Sequence, residues 1–153
     1  MRGFLVDCSR IETLVSKIYQ HLANDKTFAK EVSKVFQKLS EDERAHARHI
    51  DLVLQADEKE VAATPLITWE KINHGVLLAE STLQKVKRER LNEEDALRLA
   101  VSLEQQFLKI HVNNTLKFHN QKLADLFDKL GSEDEAHLNT LKDCLKWWHA
   151  ERK

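Results

Sequence analysis

The chain has 153 residues, with 24 Lys and Arg against 25 Asp and Glu and a formal net charge of −1. That length suits one domain, 1–153, with a sizeable core, and the balanced charge leaves no footprint for nucleic acid or an anionic membrane. Three glycines and one proline are few for a β protein, no apolar run is long enough to span a membrane, and the only two cysteines, Cys8 and Cys144, fall on apolar faces, which argues against a disulfide framework or a CxxC site and for a reducing cytoplasm.

Four segments carry a helical period. The first places Leu5, Cys8, Ile11, Val15, Ile18 and Leu22 on one face, with Glu12 and Tyr19 on or beside it. Ser9 precedes Glu12 by three residues, which is also a capping-box spacing, so a helix starting at Ser9 would use Glu12 only as a cap. After a polar turn near Asn24 and Asp25, the second segment aligns Phe28, Val32, Val35, Phe36, Leu39, Ile50 and Val53, with Glu43 and His46 filling the gap.

The middle stretch, about residues 57–91, contains Pro65 and a short helix with Trp69, Ile72, Val76, Leu77 and Leu83 on one face. It ends in a basic, solvated run at 85–90 and is long enough to cross a bundle. Asn92-x-x-Asp95 then resembles a helix start. The third segment aligns Leu97, Ala100, Leu103, Phe107, Ile110 and Phe118, with Glu104 and His111 among them. A turn near His119 and Asn120 leads to the fourth, which aligns Leu123, Leu126, Phe127, Leu130, Leu141, Cys144 and Trp148, with Asp134 and His137 in the gap.

The two halves match each other. His46 and His137 are 91 residues apart, and at that offset Val32 meets Leu123, Phe36 meets Phe127, Leu39 meets Leu130 and Ile50 meets Leu141. Glu12 and Glu104 are 92 apart, and there Leu5 meets Leu97, Cys8 meets Ala100, Ile18 meets Ile110 and Tyr19 meets His111. A duplicated helical hairpin follows. Short turns make antiparallel neighbours, so the expected fold is an all-α, antiparallel four-helix bundle with one long crossover containing a short extra helix.

Such a bundle brings Glu12, Glu43, Glu104 and Asp134 inward, one from each helix. Glu43-x-x-His46 and Asp134-x-x-His137 each put an acid and an imidazole on the same side of a helix. Acidic clusters are usually solvated, and a lone His on an apolar face is usually a satisfied core residue. Two such pairs at equivalent points of a repeat point instead to ligands. Four buried carboxylates repel one another and take up protons, whereas two divalent cations cancel their charge. Carboxylate with imidazole suits iron, and manganese or zinc as well. One Glu from each of two helices and an acid-x-x-His from each of the others is the di-iron carboxylate pattern.

On these residues the chain resembles the ferritin-like superfamily, closest to its rubrerythrin branch, over nearly its whole length. Glu12 with Tyr19 resembles the family's first helix. Leu39-Ser-Glu-Asp-Glu43-x-x-His46 resembles its second, Glu104 its third, and Asp134-x-x-His137 its fourth. The resemblance implies two iron ions held by Glu12, Glu43, His46, Glu104, Asp134 and His137, which would also carry the reaction, an oxidoreduction of hydrogen peroxide or dioxygen. Tyr19 and His111 are expected one hydrogen bond from a ligand. The sequence lacks the family's CxxC pairs, so the electron donor would be a separate protein such as a rubredoxin. Phe107 stands where rubrerythrins place a further Glu, and Asp134, one methylene shorter than the usual Glu, would either bridge or bind one metal. Ferroxidase or iron-storage chemistry, a non-enzymatic metal-stabilised bundle and a partner-binding module are the competing functions. His49 is expected at the flank of the site, and His21, His74, His119 and His149 at the surface. Trp147 and Trp148 read as packing at the bundle's end, where an exposed Trp would suit a homodimer contact.

Overall fold

A computed structural model describes residues 2–56, 69–115 and 121–152. Five helices lie among them: α1 (Arg2–Ala23), α2 (Lys30–Ala56), α3 (Trp69–Arg88), α4 (Glu93–Thr115) and α5 (Gln121–Glu151). Pro65, Phe118 and the turn near His119 and Asn120 lie outside the described residues.

The periodic stripes become the core. Leu5, Ile18, Val32, Phe36, Ile50, Leu97, Leu123 and Phe127 are completely shielded from solvent, each such side chain contributing roughly 1.5–3 kcal/mol of burial. Phe4 of α1 meets Phe127 of α5, with ring centroids 6.0 Å apart, so the two hairpins share one core. α1 packs along α2, α4 along α5, and α2 against α5. Helix ends follow the local chemistry. Asn92 Oδ1 accepts the Asp95 N–H at 2.8 Å, the expected N-cap of α4. Asp25 accepts both the backbone N–H and the hydroxyl of Thr27 in the α1–α2 turn. Glu93 then ties three elements together, accepting from the Ala29 N–H before α2 at 3.1 Å and pairing with Arg152 after α5 at 3.1 Å.

Within the first hairpin, α1 and α2 approach closely where side chains are small. Ser16 Oγ donates to the Ser40 carbonyl at 2.9 Å, and Ser40 Oγ donates to the Ser16 carbonyl at 2.9 Å. Both serines are buried, one turn from Glu12 and Glu43 respectively, so this double bond fixes the separation of the two helices beside those carboxylates. α1 begins at Arg2, so Ser9 is interior and cannot head a capping box with Glu12. Ser9 Oγ instead donates to Asp51 on α2 at 2.7 Å.

The crossover helix α3 runs 20 residues, nearly the length of α1. It lies along α1 in the same direction, with Gly75 over Ile11 and Arg90 near Asp25. Its buried stripe is Ile72, Val76, Ala79, Leu83 and Val86. Leu77, expected on that face, is 63% exposed. It follows Val76 by one residue, about 100° around the helix, and so leaves the stripe. Gly75 is where α3 meets α1 and α4 together. A Cβ there would stand 3.1 Å from Ile11 Cδ1 and 3.3 Å from Ile110 Cδ1.

Gly75→Leu is therefore expected to lower unfolding free energy by about 1–3 kcal/mol through overpacking. Gly75→Ala should be near neutral, its helix-propensity gain of about 1 kcal/mol offsetting a few tenths of an ångström of displacement. Urea denaturation of both variants checks the contrast, and equal stability of the two would contradict it.

Candidate metal centre

Four helices each deliver a carboxylate to one buried cluster. Glu12 comes from α1, Glu43 from α2, Glu104 from α4 and Asp134 from α5, and none is more than 3% exposed. His46 and His137, one turn on from Glu43 and Asp134, join them, also buried. The two imidazoles face each other across the α2–α5 contact, ring centroids 5.7 Å apart and planes inclined by 19°.

Ligand-capable atoms fall into two groups that share one residue. Glu43, Glu104, Asp134 and His137 each offer an atom within 4.8 Å of the others, as do Glu12, Glu43 and His46. Glu43 divides its oxygens between the two: Oε1 lies 3.1 Å from His137 Nδ1, and Oε2 lies 3.5 Å from His46 Nδ1. Glu104 Oε1 lies 3.6 Å from His137 Nδ1, and Glu12 Oε2 lies 3.7 Å from His46 Nδ1. Tyr19, fully buried, donates its hydroxyl to Glu104 Oε1 at 2.8 Å. His111 lies in α4, its side chain outside the described residues.

The outer edge of each ring is held by an acid that sequence reading did not single out. His137 Nε2 donates to Asp42 Oδ2 at 3.1 Å, and His46 Nε2 donates to Glu133. Each acid directly precedes a cluster carboxylate, and each serves the imidazole of the other hairpin. Asp42 and Glu133 are themselves 91 residues apart, so the internal repeat held the signal. A carboxylate only accepts, so Nε2 carries the proton and Nδ1 is left facing the cluster. Neither Nδ1 has a hydrogen-bond partner. A lone pair aimed at carboxylate oxygens is stable only with a proton or a cation between them. These oxygen and imidazole donors suit iron, manganese or zinc, and the acids behind the rings are what orients histidines toward a metal.

Without a cation, protons must do that work. Burial opposes the charged imidazolium, but the carboxylates of Glu12 and Glu43 outweigh it at His46, pushing its pKa up to about 12. Burial is likewise outweighed at His137 by Glu104 and Glu43, and its pKa rises to about 11. Burial, then the charges of Glu12 and Glu104, raise the Glu43 carboxyl well above its ordinary range. Burial and the nearby Glu104 keep the Tyr19 hydroxyl protonated. On the solvent side, Asp42 is held below its usual range because Lys38 and His137 overcome partial burial.

A cavity of about 360 Å³ opens on the α2–α5 face above this outer edge, with Lys38, Asp42, His49, Lys129 and Glu133 around it and the two imidazoles in its wall. His49 is thus at the flank, in neither group. His21, His74 and His149 are exposed; His119 lies outside the described residues. Trp147 and Trp148 pack partly buried against the core, and Arg152 lies over the Trp148 ring at 3.9 Å. The larger concavity between α3 and α4, about 640 Å³, contains none of the six cluster residues.

The sequence profile of the rubrerythrin family matches residues 4–145, nearly the whole bundle. The chain belongs to the rubrerythrin family. Neither the curated proteins nor the solved structures gave a match. This rubrerythrin-family bundle carries a buried carboxylate–histidine cluster that could hold metal. At Phe107, where the resemblance places a further Glu, the side chain is buried toward Gly75, so that position offers no carboxylate. Among the described residues, no helix is long and apolar enough to cross a membrane.

Two predictions follow from the electrostatics and the outer acids. Unfolded imidazoles titrate near 6.5 and the folded ones near 12 and 11. Their contribution to stability is complete below pH 6.5 and is lost progressively as pH rises toward those values, and Glu43, whose pKa is also raised, acts in the same direction above 4.5. The urea midpoint of metal-free protein should therefore fall from about pH 6 to about pH 9, while metal affinity rises as protons cease to compete; a midpoint that climbs over that range contradicts the assignment. Asp42→Ala and Glu133→Ala should each weaken metal binding about 10–100-fold with the helical fold retained. Competition with a chromophoric chelator measures this, and unchanged affinity in both would remove the role of these acids.

Proposed function

We propose that the chain is a non-haem di-iron oxidoreductase that reduces hydrogen peroxide or dioxygen. The observation that carries the reading is Glu43, buried between the hairpins with one oxygen toward each imidazole, the disposition of a carboxylate shared by two cations. Family membership supports iron as the metal.

Glu12 and His46 would complete one position, and Glu104, Asp134 and His137 the other. Ferrous ions held there would supply the two electrons that, with two protons, convert hydrogen peroxide to two waters, and a separate donor protein such as a rubredoxin would restore them. The chain's own groups orient and insulate that chemistry. Tyr19 holds Glu104 by its hydroxyl and retains its proton next to three carboxylates. Asp42 and Glu133 hold the Nε2 protons and reach the cavity on the α2–α5 face, so protons exchange with water there and not through the core. The core residues around the cluster exclude bulk solvent, which strengthens each electrostatic interaction inside it.

Anaerobic protein loaded with two ferrous ions per chain, one for each ligand group, is expected to lose both to oxidation by one equivalent of peroxide, followed by absorption spectroscopy, and to turn over when an external reductant is supplied. Continued iron uptake and mineral growth past that loading would replace the reductase reading with ferroxidase and storage. Failure to retain any iron would leave a metal-free structural bundle.

A further inference from the structure

We propose that the two halves of the centre are unequal: Glu43, Glu104, Asp134 and His137 form a tight position for one divalent cation, Glu12, Glu43 and His46 form a weaker second one, and Glu43 is the carboxylate they share. The inference rests on reading the cluster as a metal centre, and goes beyond it to the order of filling and the role of Asp134.

Three observations carry it. The first is donor count. Among the described residues, the group around His137 converges four residues, three of them carboxylates, while the group around His46 converges three, with two carboxylates. Each added anionic ligand raises affinity for a hard divalent cation. The second is order. The shared Glu43 lies closer to His137 Nδ1, at 3.1 Å, than to His46 Nδ1, at 3.5 Å. Prepositioned donors lose less freedom on binding.

The third is the break in the repeat. Asp134 is the counterpart of Glu43 at the 91-residue offset. In a symmetric centre both would reach across. Among the described residues, Glu43 belongs to both groups and Asp134 to the one around His137. Its side chain is a methylene shorter, which confines it to its own side. That these groups are built for a cation, and are not merely acidic, follows from His46 and His137. Each is about 95% buried with a partnerless Nδ1 turned inward.

Calorimetric titration of the full-length, metal-free protein with Co²⁺, followed in parallel by visible absorption, tests this. Two binding events are expected, one ion each, with the first at least about tenfold tighter. Glu12→Gln and His46→Ala should abolish the second event and spare the first. Glu104→Gln and His137→Ala should remove the tight event. Asp134→Glu, which restores the longer reach, should bring the two affinities to within about threefold. Two equal events in the parent protein, or loss of the tight event in both Glu12→Gln and His46→Ala, would overturn the inequality while leaving the metal centre standing. No Co²⁺ binding at all in the parent protein would overturn both. Far-ultraviolet circular dichroism confirms that each variant retains its helices, and the near-isosteric Glu12→Gln and Glu104→Gln decide the matter if an alanine variant unfolds.

Discussion

Everything in this bundle is arranged around the burial of four carboxylates in one place. An unpaired charge in such a core costs several kcal/mol even after relaxation, so the cluster exists only because something positive sits within it. In the metal-free chain that role falls to His46 and His137, whose protons are held far above the ordinary imidazole range by the carboxylates around them. The acids behind the rings, Asp42 and Glu133, keep Nε2 protonated and turn Nδ1 inward. A cation entering the cluster would replace those inner protons and meet donors already in place.

The scaffold serves that arrangement. Ser16 and Ser40 lock α1 to α2 one turn from Glu12 and Glu43 through paired hydroxyl-to-carbonyl bonds. Tyr19 crosses from α1 to Glu104 on α4, joining the hairpins with a buried hydrogen bond. α3 closes the groove between α1 and α4, and its approach depends on the missing side chain of Gly75. The crossover is thus a fifth packed helix that shields the α1–α4 side, while the α2–α5 side stays open to solvent beside the histidine edges.

Duplication explains the near-symmetry, and its imperfections give the centre its character. Glu43 and Asp134 occupy equivalent places, yet among the described residues Glu43 alone belongs to both ligand groups. Phe107 extends the apolar wall of α4 toward α3. The result is a rubrerythrin-family bundle in which, among the described residues, one carboxylate belongs to both ligand-capable groups and one group holds more donors than the other.

The four main helices and all six cluster residues were legible in the sequence, because a 3.6-residue period forces residues of one stripe onto one face and a polar residue in that stripe has nowhere else to point. The internal offset also showed that the two hairpins are copies. Local pattern was ambiguous where one spacing serves two purposes. Ser9 and Glu12 fit a capping box as well as a core face, and only the start of α1 at Arg2 decided between them. Leu77 fit an apolar face whose true centre was set by the groove α3 occupies. Asp42 and Glu133 looked like solvated members of acidic runs, since their partners lie on the opposite hairpin. Sequence by itself determined which groups are buried and of what chemistry, because periodicity is a property of one helix. Which oxygen faces which nitrogen, which carboxylate is shared and which acids stand behind the histidines depend on distances between helices, and those only tertiary packing decides.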